Sequence, residues 1–139
     1  MSLLNWSSSL DIGVNEMNNQ HKILLGIMND LFDYKNEKEG DFEGIKKYLL
    51  ELGAFTVKHF EDEEAYMEKI GFSGLETHKL IHKDLLAKFT KHKDQFLETR
   101  ELSEDFFGFL KFWLKSHIMG IDIKYGNYKS TETGKGNFA

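Results

Sequence analysis

The sequence predicts an all-α protein: an antiparallel up-down-up-down four-helix bundle with an N-terminal arm. Three observations carry that expectation. The 139 residues contain no proline, the residue that breaks helix interiors by removing an amide donor and crowding the preceding turn. Apolar side chains recur at spacings of three and four along four long segments, the period that gathers them on one helix face. Short stretches rich in Gly, Ser and Asp separate those segments, and short connections favour antiparallel neighbours.

Residues 1–17 read as the arm. The first helix is expected from Asn18 to Lys38, with His21, Leu24, Leu25, Met28, Leu31 and Phe32 facing inward. Gly40 and Asp41 separate it from a second helix, Asp41 to Ile70, whose inward stripe is Ile45, Leu49, Leu52, Thr56, His59, Glu63, Tyr66, Met67 and Ile70. Gly71 stops that helix, since glycine takes the left-handed conformation a helix end requires at little cost. The third helix, Gly74 to Phe96, has a capping box in Ser73 and Glu76, where each side chain would bond an amide at the other residue. Its inward stripe is Leu75, His78, His82, Leu85, Phe89, His92 and Phe96. The fourth, Ser103 to Tyr125, has Ser103 as its cap, and Glu104 and Asp105 place negative charge at its positive end. The bundle is therefore assigned to residues 18–128, and residues 129–139, rich in Ser, Thr and Gly, to a C-terminal tail.

Composition narrows the function classes. Aromatic residues make up 14%, twelve of them Phe, enough for one sizeable core in a chain of this length. The absence of cysteine excludes disulfides, thiolate metal sites and iron–sulfur clusters. A net charge of −5 argues against a nucleic-acid partner. Neither a signal-like segment nor an apolar run of membrane-spanning length is visible, so a soluble, cytoplasmic protein without a membrane role is expected.

Chemistry enters with the histidines. Five of the six join one Glu and one Asp in helical spacings: a lone His21, then His59/Glu63, His78/His82 and His117/Asp122. In an alternating bundle the starts of helices one and three share an end with the finishes of helices two and four, so all seven residues fall within about 15 Å along the axis. They also interrupt apolar stripes. A polar or charged side chain turned into a core is costly unless paired, hydrogen-bonded or metal-bound, and metal ligation accounts for all of them together. His92 lies on the stripe of helix three but about 15 Å from His82, which makes it a core-edge or hydrogen-bonding histidine. Glu64 follows Glu63 but points away from it by about 100°.

Seven ligands suit two ions that share carboxylates. Three histidines on one ion, two on the other, bridging Glu63 and Asp122, and a bridging oxygen from solvent leave one ion with an open position for a small molecule. Imidazole with carboxylate suits iron, zinc, copper or nickel; two near-octahedral centres with carboxylate bridges favour iron, whereas structural zinc is normally a closed tetrahedron. Five neutral imidazoles against two carboxylates favour the ferrous state and reversible O2 binding over O–O cleavage. His117/Asp122 is the awkward pair, because residues five apart diverge by about 140° on a regular helix. Either the helix is distorted there, as by a π-bulge, or the centre is wide enough to receive both.

On these motifs the chain resembles the hemerythrins, specifically a single-domain bacteriohemerythrin, from about Trp6 to Tyr128. The resemblance rests on Trp6, Gly13-Val14, Gln20-His21-Lys22, His59-Phe60 with Glu63-Glu64, His78 and His82, and Trp113-Leu114 before His117-Ile118 with Asp122. Asn18 and Ser73 stand where relatives commonly carry Asp and Pro. The resemblance implies two non-haem irons with an oxo or hydroxo bridge. His78, His82 and His117 would hold the six-coordinate iron, His21 and His59 the O2-binding iron, and Glu63 and Asp122 would bridge. It further implies an apolar O2 pocket lined by Leu24, Phe60, Trp113, Leu114 and Ile118, with Tyr125 nearby. The expected function is non-enzymatic: an oxygen carrier, store or sensor that holds O2 as hydroperoxide on the five-coordinate iron. A di-iron peroxidase, oxidase or nitric-oxide-handling enzyme is the alternative, as is an iron-handling or signalling module acting through an unidentified protein partner.

Overall fold

The structure is a computed structural model that describes residues 3–128; the expected tail lies outside the described residues. Four helices follow a short 3-10 turn at Ser8–Leu10: α1 (Asn15–Glu37), α2 (Phe42–Lys69), α3 (Leu75–Thr99) and α4 (Glu104–His117). A π-helical turn, Ile118–Asp122, continues α4 into a last helical stretch over residues 123–128. No strand occurs among the described residues.

Ring contacts show the antiparallel order. Tyr34 of α1 meets Tyr48 of α2, while His21, earlier on α1, meets His59, later on α2. Between α2 and α3 the pairs are Phe42–Phe96 and Phe60–His82; between α3 and α4 they are Phe89–Phe106 and His78–His117. Phe32 against Phe107 closes α1 onto α4. Phe96 and Phe106 are fully buried, and each such side chain contributes about 1.5–3 kcal/mol of hydrophobic stabilisation.

The helix ends explain most departures from the expected boundaries. Gly71 takes φ +69°, its amide bonds Glu68, and the Phe72 amide reaches the Met67 carbonyl at 2.9 Å. That double bond is a Schellman stop, as Gly71 led one to expect. It leaves no free helix start for Ser73: the Leu75 amide is taken by the Phe72 carbonyl and the His78 amide by the Gly74 carbonyl. The expected capping box at Ser73/Glu76 is therefore not formed, and Gly74 is the cap. Ser103 does cap α4, accepting from the Phe106 amide at 3.3 Å. Helix α3 runs to Thr99, three residues past the expected end, because Arg100 accepts the left-handed conformation (φ 66°) and its guanidinium lies 3.9 Å from the centre of the Phe42 ring.

Helix α1 starts at Asn15, earlier than expected. Asn18 lies inside it and ties down the arm: its Oδ1 accepts the Ile12 amide at 3.1 Å, and its Nδ2 donates to Asp11 at 2.7 Å. Farther back, Asn29 accepts both the Leu3 and Leu4 amides. At Gly126 an added Cβ would sit 2.1 Å from the Ile12 carbonyl oxygen. The arm thus passes against the last helical stretch, close to the π-turn that carries Asp122.

Candidate metal centre

Nine polar or charged side chains are buried among the described residues: Asn18, His21, Thr56, His59, Glu63, His78, His82, His117 and Asp122. Two are satisfied locally, Asn18 by the arm and Thr56 by the Leu52 carbonyl at 2.7 Å. The other seven are the residues singled out in the sequence, and the fold brings all seven together.

Each helix supplies its share. His21 comes from the first third of α1, His59 and Glu63 from one face of α2, and His78 and His82 from one face of α3. The i, i+4 spacing aligns each of the last two pairs. His117 ends α4, and the π-turn brings Asp122 onto the same side: the Ile123 amide bonds the Ile118 carbonyl five residues back. The awkward spacing is thus resolved by helix distortion, the first of the two alternatives.

All five histidines present Nε2 to the cluster. Asp122 Oδ1 lies 2.9 Å from His117 and 3.0 Å from His78, and its Oδ2 lies 3.1 Å from His21. Glu63 Oε1 is 3.2 Å from His82 and 3.4 Å from His59, while Oε2 is 3.4 Å from His21. The Nε2 atoms of His78 and His117 face one another at 3.3 Å. Despite these short separations, His21 Nε2, His82 Nε2, Glu63 Oε1 and both Asp122 oxygens are buried without a hydrogen bond. Leaving one such atom unsatisfied costs about 1–3 kcal/mol. Convergent nitrogen lone pairs and carboxylates are the donor set of a transition-metal site, so the residues present fit bound metal.

Two overlapping donor groups emerge. Glu63, His78, His82, His117 and Asp122 form one; His21, His59, Glu63 and Asp122 form the other. Within each, one ligand atom per residue lies within 4.8 Å of the rest. Glu63 and Asp122 belong to both.

Electrostatics follow from crowding charge away from water. Burial pulls the His21 imidazolium down, but Asp122 and Glu63 outweigh it and lift the pKa to about 9. Burial likewise opposes charge on Glu63, yet His59, His21 and His82 hold its carboxyl well below the ordinary value. Asp122 is opposed by burial and by Glu63, and is held low by His117 and His21. Burial, then the charges of Glu63 and Asp122, push the Tyr125 phenol up.

Outer contacts reveal residues whose roles the sequence reading missed. Glu64 does point away from the cluster, as expected, but toward α3, where it accepts from His82 Nδ1 at 2.9 Å. Gln20 Oε1 accepts from His59 Nδ1 at 2.6 Å. Tyr125 donates its hydroxyl to Glu63 Oε2 at 2.5 Å. The usable signal for Glu64 was its position one residue past an inward ligand, about 100° round, which on α2 faces the neighbouring helix. The apolar residues Leu24, Phe60, Trp113, Leu114 and Ile118 are all buried. Phe60 lies flat on His82, with centroids 3.8 Å apart, and Trp113 meets Phe60 edge-on at 6.0 Å. His92 is remote, packed on Phe109 and Phe106 at the half-buried edge of the core.

Comparison with known proteins is consistent with this geometry. A family model described as the hemerythrin HHE cation binding domain matches residues 12–127. A hemerythrin-like protein of Naegleria gruberi is 35% identical over 124 residues, covering 89% of this chain and 92% of the relative. A bacteriohemerythrin of Pseudomonas aeruginosa is 30% identical, covering 90% of this chain and 80% of its own length. The crystal structure of a wild-type hemerythrin superposes with a TM-score of 0.83 at 29% identity, covering 91% of this chain and 97% of that one.

Proposed function

The chain belongs to the hemerythrin family, and on that premise we propose that it binds O2 reversibly, without turnover, at a di-iron centre held by the seven clustered residues. The observation that carries the reading is the sharing of Glu63 and Asp122 between two buried donor groups. A single ion would use one group; two shared carboxylates suit two ions with an oxo or hydroxo bridge. His78, His82 and His117 would hold one iron, and His21 and His59 the other. When bound, such an iron pair would supply the redox chemistry that reversible O2 binding requires.

The protein side chains set where that happens. The two-histidine group offers four donors against five, so exogenous ligand binds on the His21/His59 side. Leu24, Phe60, Trp113, Leu114 and Ile118 line an apolar pocket that excludes water and anions, which slows loss of the ferrous state. Tyr125 and Glu64 fix one carboxylate and one imidazole from outside the cluster, as outer hydrogen bonds do in metal sites. No helix among the described residues is long and apolar enough to cross a membrane. The choice among carrier, store and sensor depends on any protein partner.

The test is optical. Protein loaded anaerobically with two Fe2+ per chain should develop a visible charge-transfer band on adding O2 and lose it on removing O2, over repeated cycles. Irreversible conversion to the ferric state in the first cycle, or failure to retain two irons, overturns the reading.

A further inference from the structure

His59 can offer Nε2 to a metal only if its ring proton sits on Nδ1. The atom facing Nδ1 is Gln20 Oε1, at 2.6 Å. An amide is ambiguous in this position, since turned over it would present its NH2 group, require Nδ1 to accept, and drive the proton to Nε2. The far end of Gln20 removes the ambiguity. Its Nε2 lies 2.9 Å from Asp62 Oδ2, and an ionised carboxylate can only accept. Lys58 Nζ, 2.8 Å from the same oxygen, steadies that carboxylate from the surface. The order Lys58, Asp62, Gln20, His59 therefore runs from an exposed lysine through a half-buried carboxylate and amide to a buried ring.

We propose that Asp62 is a positioning residue: by accepting from the Gln20 amide it fixes the amide's orientation, and the Gln20 oxygen then fixes His59 in the tautomer that offers Nε2 to a metal ion. The inference rests on the reading of His59 as a ligand. The lock works against Glu63, whose Oε1 lies 3.4 Å from His59 Nε2 and favours a proton there. His82 supplies an internal control. Its Nδ1 meets a carboxylate directly, Glu64 at 2.9 Å, and either carboxylate oxygen accepts without any second residue to orient it.

The experiment uses the full chain, 15N-labelled, with no metal added and at mildly alkaline pH, where long-range proton–nitrogen correlations report imidazole tautomers. Four proteins are compared: wild type, Asp62→Asn, Gln20→Glu and the double variant. Wild type and Gln20→Glu should show His59 protonated on Nδ1, because a Glu at 20 accepts in either orientation. Asp62→Asn, which can donate as well as accept, should shift His59 toward the Nε2–H form and leave His82 unchanged. In the Gln20→Glu background the same Asp62→Asn change should have no effect.

Zn2+ titration gives the second readout. Asp62→Asn should weaken the two-histidine group by roughly 10–100-fold, the usual consequence of losing an outer-shell partner, spare the three-histidine group, and be rescued in the double variant. A pure Nδ1–H ring in Asp62→Asn overturns the proposal. So does an affinity loss that persists in the Gln20→Glu background, or one that occurs without a change of tautomer. A wild type that binds no Zn2+ while its tautomer responds as stated supports the lock and sinks only the reading of His59 as a ligand.

Discussion

Replacing Tyr125 with Phe removes one oxygen and leaves everything else in place. The ring is fully buried, between Tyr66, Phe72 and His78 at centroid distances of 5.7, 6.4 and 5.8 Å, and Phe keeps those contacts. What disappears is the hydroxyl that donates to Glu63 Oε2 at 2.5 Å. A hydrogen bond to a charged, buried acceptor contributes about 1.5–3 kcal/mol, and no water replaces it at a closed site. With an unfolding entropy of about 2.1 cal/mol/K per residue, a chain of 139 residues loses about 3 °C of Tm per kcal/mol. Tyr125→Phe should therefore melt about 5–10 °C lower. Urea unfolding followed by far-UV circular dichroism, at matched metal content, should show the lower midpoint at unchanged m-value. Because the hydroxyl also restrains a shared carboxylate, metal affinity should fall by roughly 10–100-fold. A stability change below about 0.5 kcal/mol, less than an ordinary neutral hydrogen bond contributes, would refute the claim that this hydroxyl satisfies Glu63.

Three further outcomes follow from other parts of the molecule. Adding Fe2+ or Zn2+ at 100 times its Kd should stabilise the fold by about 2.7 kcal/mol per ion, reversed by a chelator; a melting temperature indifferent to both would show that the cluster is not a metal site. Gly126→Ala drives a methyl to 2.1 Å from the Ile12 backbone carbonyl and should cost about 1–3 kcal/mol as overpacking. Gly108→Ala on α4, where nothing lies within 4 Å, should instead stabilise by about 0.5–1 kcal/mol; equal effects of the two would contradict the placement of the arm. His92 has its pKa lowered from 6.5, by burial and secondarily by Lys91, with Asp105 opposing. The unfolded chain then binds more protons just below pH 6.5, so this contribution is complete above that pH and shrinks as pH falls toward the lower folded value. The slope of urea midpoint against pH in that window should flatten in His92→Gln.

The fold was legible because the helix period dominates this sequence, and the site was legible because polar residues interrupt it. His59 and Glu63 stand on a stripe otherwise filled by Ile45, Leu49, Leu52 and Met67, and the cost of burying them gave the pattern its meaning. What sequence could not supply was competition between neighbouring motifs. Ser73 and Glu76 have the spacing of a capping box, but the Schellman stop at Gly71 continues directly into a turn from Phe72 to Leu75, and the first intrahelical bond of α3 falls on the Gly74 carbonyl, one residue past Ser73. Arg100 was equally opaque: a side chain tolerates the left-handed conformation there because α2 offers the face of Phe42. Glu64 and Gln20 escaped for a related reason. Each sits beside a ligand in sequence, and its role depends on which ring the adjacent helix presents.

The π-turn is where sequence and geometry meet most sharply. On a regular α-helix His117 and Asp122 would diverge by about 140°, and Asp122 could not lie 2.9 Å from His117. The middle of the wider turn is not held by packing: Met119 and Gly120 are exposed, and a Cβ on Gly120 would meet no atom within 4 Å. The turn behaves as a regular helix carrying one surplus residue, a device common at functional sites. Deleting Gly120 should then make Asp122 the fourth residue after His117, on the same α-helical face, with Tyr125 and Gly126 kept in register behind it. The deletion variant should fold with the i→i+4 ladder restored and hold metal within about tenfold of wild type, milder than the 10–100-fold loss of an outer-shell partner. Complete loss of metal binding in a folded deletion variant would mean that the π geometry itself aims Asp122, and that the surplus residue is part of the ligand set's design.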